Sequence, residues 1–160
     1  MITCRFENGN QDNLRHVVVG VIIVKDGKVL LAKRGTFQGR PIIESKKWAL
    51  SGGFLDRDET TIEACKREVK EELNIEISNL KLIHIVDNPN RPNEDRQNVN
   101  FVFVADFDGG EIKTNEEVIE VRWFNLDDLP PKDAIAFDFY DELLFYKRYI
   151  REDFAVPVIN

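Results

Sequence analysis

The sequence has few cysteines, no hydrophobic run long enough to span a bilayer and no excess of positive charge. Its two cysteines, Cys4 and Cys65, are far apart and form no CxxC pair, so neither a disulfide framework nor a zinc knuckle is expected. No stretch reaches the roughly 20 apolar residues of a membrane-spanning helix, and the first residues lack a run of signal-peptide length. The sequence therefore favours a cytoplasmic protein with no membrane partner.

The charge balance bears on the class of ligand. The net charge is -7 over 160 residues, which disfavours nonspecific binding to nucleic acid because few backbone phosphates could be neutralised. No nucleic-acid partner is therefore expected. An acidic protein still binds phosphate groups when metal ions supply the positive charge. The length and the 42% of hydrophobic residues fit a single domain over residues 1–160, with a core at about 15–150.

Apolar runs predict the strands of a sheet. The run from His16 to Val24 is β-branched and continuous, which is typical of a buried central strand. A turn at Asp26-Gly27 leads to a returning strand at Val29 to Ala32. The residues from Val99 to Phe107 alternate between two faces, as a strand does, and a further strand is predicted over Val118 to Phe124. The polar stretch from Gly35 to Lys47 is interpreted as a loop.

Two helices are predicted among these strands. Thr60, followed three residues later by Glu63, suits a capping box, and the helix should end near Leu73 or Asn74. A second helix follows the Pro130-Pro131 break and spans roughly residues 137–151. Mixed strands with two main helices predict an α/β sandwich with a mixed β-sheet.

The first helix carries three glutamates on one side. Glu68, Glu71 and Glu72 fall within roughly one third of the helix circumference. Like charges at this spacing repel, and Mg²⁺ or Mn²⁺ would compensate them because these ions prefer oxygen ligands. The upstream pair Gly52-Gly53 would let the backbone approach a ligand closely.

A family signature covers this helix and the residues before it. The positions that resemble the Nudix box are Gly53, Glu59, Arg67, Glu68, Val69, Glu71, Glu72 and Ile75. The one departure is Asn74, where the pattern has glycine. That position follows the helix end and would be left-handed, which asparagine tolerates better than other side chains. The order of elements over roughly residues 15–150 is also similar to that family.

The resemblance implies a Nudix-type α/β/α sandwich that hydrolyses a nucleoside diphosphate linked to another moiety, with Mg²⁺ or Mn²⁺ as cofactor. It implies that Glu68, Glu71 and Glu72 bind metal with help from the Gly52 carbonyl, and that Arg67 holds the glutamates by salt bridges. A further carboxylate is expected before the strand at Trp123, with Glu117 favoured and Glu116 as its rival. The general base stays open among Glu68, Glu72 and Glu117.

The substrate class is less closely constrained. Arg91 and Arg96 are either exposed charges or substrate ligands. Their loop is similar to the substrate loop of ADP-ribose-type Nudix enzymes, and arginine suits phosphate through bidentate contacts. ADP-ribose or a related nucleotide sugar is favoured. The alternatives are an oxidised nucleoside triphosphate and, from another class, a non-catalytic module that senses a nucleotide. A homodimer would fit the ADP-ribose-like relatives, and His16 and His84 are expected to be structural.

Overall fold

The structure is a computed structural model that describes residues 2–91 and 96–159. Residues 92–95 of the predicted substrate loop lie outside the described residues. The strands are β1 Ile2–Arg5, β2 Gln11–Leu14, β3 Val17–Lys25, β4 Lys28–Arg34, β5 Thr36–Phe37, β6 Arg40–Pro41, β7 Trp48–Ala49, β8 Glu76–Val86, β9 Val99–Gly109, β10 Val118–Asn125 and β11 Val158–Ile159. The helices are α1 Thr61–Leu73, a 3-10 turn Lys132–Ala134 and α2 Phe139–Tyr149.

One mixed sheet organises the chain. Its strand order is β10-β4-β3-β9-β8-β11, and β7 pairs with β4 beside this path. The central pair β3 and β9 is parallel, with Val17 opposite Val99 and Val24 opposite Asp106, while β4, β8 and β10 run antiparallel to their main neighbours. The β-branched run of β3 is buried on both faces, as its lack of polar alternation predicts.

Each face of the sheet packs against one helix. Cys65, Val69 and Leu73 of α1 join a core cluster with Phe103 of β9. Leu143 of α2 joins the cluster on the other face. This arrangement confirms the predicted α/β sandwich with a mixed sheet and two main helices. Among the residues that the structure describes, no helix is long and apolar enough to cross a membrane.

The ends of α1 follow from its sequence. Thr60 is the N-cap and forms the predicted capping box with Glu63. Asn74 is the C-cap in the left-handed region, with φ 58 and ψ 28, and its backbone N–H donates to the Lys70 carbonyl. Its side-chain amide also donates to the Glu111 carbonyl over 3.0 Å. The asparagine therefore ends the helix as glycine would and adds a hydrogen bond that glycine lacks.

Two predicted features need correction, and one hairpin was not predicted at all. The stretch interpreted as a loop contains the short hairpin of β5 and β6, and the first residues form a separate hairpin of β1 and β2. Polar residues dominate both hairpins, so no apolar period marks them. The second helix begins at Phe139 instead of Phe137, because Phe137 adopts a left-handed backbone with φ 52 that a helix cannot include.

His84 is buried, as expected for a structural histidine. Its Nδ1 lies 2.7 Å from Glu142 Oε2 across the interface between β8 and α2. Its ring stacks on Phe145 with centroids 4.0 Å apart. Burial raises the pKa of Glu142, and the hydrogen bond from His84 opposes that shift. The contact between His84 and Glu142 therefore connects α2 to β8 of the sheet.

Candidate active site

A pocket of about 780 Å³ opens beside the residues before α1. The backbone there runs along β3: Val21 N–H donates to the Ser51 carbonyl over 2.8 Å, and Val19 N–H donates to the Gly53 carbonyl over 2.9 Å. Gly52 has φ 144, and a Cβ at this residue would lie 2.1 Å from the Val19 carbonyl oxygen. Only glycine fits this position, so the sequence packs this segment tightly against the strand that backs the pocket.

The second glycine makes room for a carboxylate. A Cβ at residue 53 would lie 2.5 Å from Glu68 Oε1, so the side chain of Glu68 occupies the space that a larger residue would fill. Glu68 also accepts a hydrogen bond of 2.8 Å from Arg67 Nη1. Burial raises the pKa of Glu68, and the hydrogen bond from Arg67 opposes that shift.

Glu72 lies deeper in the same pocket. Its Oε2 accepts hydrogen bonds from Ser51 Oγ over 2.5 Å and from the Gly52 backbone N–H over 3.2 Å. Burial raises the pKa of Glu72 to about 7, and the negative charge of Glu68 acts in the same direction. A carboxylate with this pKa exchanges its proton near neutral pH, and a nearby cation would favour its ionised form.

Arg67 lies at the centre of an ion-pair network. Its Nη2 lies 2.7 Å from Glu59 Oε1, and its Nη1 lies 2.8 Å from Glu68 and 3.3 Å from Glu71. It also donates to the Phe54 carbonyl over 2.9 Å. Hydrogen bonds from Arg67 and from the Asp56 backbone lower the pKa of Glu59. The network ties the loop before α1 to the helix.

Of the three glutamates of α1 that the helical spacing placed on one side, Glu68, Glu71 and Glu72, only two line the pocket. Glu68 and Glu72 line the pocket, whereas the side chain of Glu71 is 61% exposed and is directed toward Arg67. Across residues 2–91 and 96–159, no group of three or more His, Cys, Asp or Glu side chains is arranged to hold a metal ion. Like-charged carboxylates repel, and Glu71 forms an ion pair with Arg67.

The pocket nevertheless fits a hard divalent cation. Glu68 and Glu72 supply carboxylate oxygens from one side, and burial disfavours the charge on both. The Gly52 carbonyl lies between two carbonyls that bond to β3, and it accepts no backbone hydrogen bond from the described chain. Carboxylate and carbonyl oxygens are the ligands that Mg²⁺ and Mn²⁺ prefer.

The structure separates the two candidate carboxylates before β10. Glu117 lines the pocket. The carboxylate of Glu116 instead accepts hydrogen bonds from the backbone N–H groups of Gln38 and Gly39, over 3.2 and 3.3 Å, in the turn between β5 and β6. Glu116 therefore supports the hairpin, while Glu117 faces the space beside Glu68 and Glu72.

Both predicted substrate arginines line the pocket. Arg91 is almost fully buried, and its Nε donates to Asp138 Oδ1 over 2.8 Å. Its Nη2 lies at the same distance from that oxygen, but not in a direction that makes a second hydrogen bond. The Arg91 guanidinium carbon lies 4.5 Å from the centroid of the Phe137 ring, and that of Arg96 lies 5.4 Å from the Phe54 ring.

Two further arginines of the pocket, Arg34 and Arg40, were not identified from the sequence. Arg34, at the end of β4, donates through Nε to the Ile43 carbonyl over 2.8 Å and lies 5.2 Å from the Phe137 ring on the pocket wall. Burial lowers its pKa; the charge of Glu72 opposes that shift, while Arg91 and other neighbouring cations reinforce it. Arg34 falls between the predicted strand, which ended at Ala32, and the predicted loop, which began at Gly35, so no motif identified it.

Two asparagines of the pocket were also missed. Asn98 and Asn100 line it and are buried. The alternation of β9 placed Asn100 on the same face as Val102, within an otherwise apolar row. A polar residue at such a position was the signal that could have identified it.

Comparison with known families and sequences identifies relatives of this chain. The model of the NUDIX domain matches residues 14–143. An ADP-ribose pyrophosphatase of Methanocaldococcus jannaschii is 35% identical over 135 residues, which cover 83% of this chain and 73% of that protein. An NAD-capped RNA hydrolase NudC of Photorhabdus laumondii is 33% identical over 124 residues, or 75% of this chain and 43% of that protein. The chain thus spans less than half of this second relative.

Solved structures show the same fold. A NUDIX hydrolase from Nitrosomonas europaea superposes with a TM-score of 0.74 at 25% identity, covering 94% of this chain and 81% of that one. An ADP-ribose pyrophosphatase from Streptococcus suis superposes with a TM-score of 0.68 at 22% identity, covering 92% and 100%. At that lower identity the second likeness supports the fold alone.

Proposed function

Because the chain belongs to the NUDIX domain family, we propose that its pocket hydrolyses a phosphoanhydride bond of a nucleoside diphosphate derivative, with ADP-ribose or a related nucleotide sugar favoured. The observation that supports this most is the presence of both charge types in one pocket. Glu68, Glu72 and Glu117 line it together with Arg34, Arg91 and other arginines. The Methanocaldococcus relative is named for ADP-ribose, and about 780 Å³ suits a ligand of that size.

In this proposal the carboxylates and the arginines of the pocket have different roles. Glu68 and Glu72, with the Gly52 carbonyl, would hold Mg²⁺, or Mn²⁺ as an alternative, which supplies positive charge to the diphosphate and acidifies the attacking water. Arg91 and Arg96 would bind the diphosphate oxygens. One of the pocket glutamates Glu68, Glu72 and Glu117 would remove the proton from the attacking water.

Arg67 is a positioning residue in this proposal. Its contacts with Glu59 and Glu68 hold the Glu68 carboxylate against Gly53. Glu71 would act through Arg67, because it contacts that guanidinium and does not line the pocket. A role for Glu71 as a direct metal ligand would require its side chain to turn away from Arg67.

A nucleoside triphosphate is the second candidate substrate. Among the described residues, four arginines line the pocket, namely Arg34, Arg40, Arg91 and Arg96, and this number would also suit the higher charge of a triphosphate. The products distinguish the two reactions. ADP-ribose would yield AMP and ribose 5-phosphate, whereas a triphosphate would yield a monophosphate and pyrophosphate.

A substrate panel tests the proposal. Wild type is incubated with Mg²⁺ or Mn²⁺ and with ADP-ribose, a nucleotide sugar, an oxidised nucleoside triphosphate and NAD-capped RNA, and the products are identified by mass. The RNA is included because a relative carries that name, although the net charge of -7 predicts no nucleic-acid partner. Glu111→Gln is the matched control, since that side chain is 83% exposed.

We expect metal-dependent release of AMP and ribose 5-phosphate from ADP-ribose by wild type and by the Glu111→Gln control. Release of pyrophosphate from the triphosphate alone would replace the favoured substrate with the second candidate. Binding of a nucleotide without any product across the panel would favour a sensing module and contradict the proposal.

A further inference from the structure

Two buried asparagines that line the pocket carry amide oxygens with no hydrogen-bond partner among the described residues. Asn98 is 6% exposed and Asn100 is 4% exposed, and both line the pocket. Within residues 2–91 and 96–159, their Oδ1 atoms accept no hydrogen bond. Buried side-chain oxygens are nearly always paired, because an unpaired acceptor loses its hydration without compensation. Two unpaired acceptors beside one pocket are therefore unusual.

The fold fixes the position of both amides. Asn100 lies in β9 between Val18 of β3 and Val86 of β8. A Cβ at Gly20 would lie 3.3 Å from Asn100 Oδ1, so the glycine leaves just enough room for this side chain. The Asn98 carbonyl accepts a hydrogen bond of 3.1 Å from Arg15. Asn98 lies directly before β9 and Asn100 within it, and both residues line the same pocket.

The chemistry of the pocket limits what these oxygens can bind. An amide oxygen is an acceptor, so it does not bind the oxygens of a phosphate, which are acceptors as well. A second cation is disfavoured because Arg91 and Arg96 line the same pocket. The group that fits is therefore a neutral N–H or O–H donor. Nucleotides carry such donors on the amino group of the base and on the ribose hydroxyls.

We propose that Asn98 and Asn100 form a subsite that accepts hydrogen bonds from a donor group of the nucleotide, and that this subsite selects among nucleotides. The inference rests on the proposed function, since it assigns part of the same pocket.

The test measures binding without metal, so it does not depend on turnover. The affinities of AMP, IMP, 2′-deoxy-AMP and 3′-deoxy-AMP are measured by titration calorimetry for wild type, Asn98→Leu and Asn100→Leu. IMP replaces the amino group of the base with a carbonyl, and each deoxy compound lacks one ribose hydroxyl. Asn125→Leu is the matched control, because Asn125 is exposed and lies outside the pocket.

We expect wild type and Asn125→Leu to bind AMP about threefold to tenfold more tightly than the analogue that lacks the recognised donor, as one neutral hydrogen bond predicts. Weaker binding of IMP than of AMP would show that the subsite recognises the amino group of the base. Weaker binding of a deoxy compound would show that it recognises a ribose hydroxyl. In either case Asn100→Leu or Asn98→Leu should lose the preference. Asn100→Asp keeps an acceptor oxygen and should therefore retain the preference. The preference is the ratio of the affinities for AMP and the analogue, so a uniform effect of the added charge on both affinities cancels.

Thermal unfolding separates this role from a structural one. Replacing an unpaired buried acceptor with leucine should leave the melting temperature unchanged or higher. Wild-type preferences that persist in both leucine variants would overturn the inference, and so would an equal loss of affinity for all four nucleotides. If wild type bound none of them and hydrolysed nothing in the substrate panel, the proposed function itself would fail. If the leucine variants hydrolysed substrate normally and kept the wild-type nucleotide preferences, the proposed subsite would be wrong and the proposed function would stand.

Discussion

Replacing Glu72 with glutamine should stabilise the metal-free protein, and only above a defined pH. Burial raises the pKa of Glu72 from 4.5 to about 7, so the folded protein binds this proton more tightly than the unfolded chain does. The stability that the proton contributes is fully present below pH 4.5 and is lost as the pH rises through about 7. Above that pH, wild type must bury an ionised carboxylate.

The size of the effect follows from the same two values. A pKa of about 7 against 4.5 corresponds to about 3 kcal/mol, which is an upper value because the side chain is partly exposed. Glutamine keeps an oxygen that can accept from Ser51 and from the Gly52 backbone. We therefore expect Glu72→Gln to exceed wild type by about 2 kcal/mol at pH 8.5 and to equal it at pH 4.

Urea unfolding in EDTA, followed by tryptophan fluorescence, measures this difference. The free energy of unfolding is compared for wild type, Glu72→Gln and the exposed control Glu111→Gln at several pH values between 4 and 8.5. The control should follow wild type throughout. A difference between Glu72→Gln and wild type that does not change with pH would contradict this prediction, because it would not arise from the ionisation of Glu72.

Three further outcomes follow from the structure. Glu72→Gln should lose most metal-dependent turnover while it remains folded; near wild-type turnover at saturating Mg²⁺ would remove Glu72 from the metal site. Arg91→Ala and Arg96→Ala should raise KM more than they lower kcat, whereas an unchanged KM in both variants would exclude a substrate role. Thr60→Ala should destabilise the protein by about 1 kcal/mol through loss of the N-cap; equal urea midpoints would show that the capping box is dispensable.

The sequence predicted the elements that carry a strong apolar period. The central strand at His16 to Val24, the alternation of β9 and the start of α1 at Thr60 were all readable, because burial and capping impose residue types at fixed spacings. The hairpins of β1 with β2 and β5 with β6 were not predicted. Their strands are polar and short, and their pairing depends on contacts that no local pattern records.

Some residues of the candidate site were likewise predictable from the sequence, and others were not. Glycine and glutamate spacing before and within α1 indicated Glu68 and Glu72, since one helix presents both. The same spacing did not predict that Glu71 would turn to Arg67, because helical geometry places a side chain on a face without choosing its rotamer. Arg34 and Asn100 reach the pocket from strands that are distant in sequence, so only the folded sheet brings them to the pocket.

The central claim is that Glu68 and Glu72 bind a divalent cation beside the glycines. Anomalous diffraction from crystals soaked in Mn²⁺ measures this most directly, because manganese scatters anomalously and the protein does so only weakly. We expect a manganese peak at coordination distance from the carboxylate oxygens of Glu68 and Glu72. Crystals with no such peak, in which Glu68 stays bound to Arg67 and Glu72 to Ser51, would contradict it.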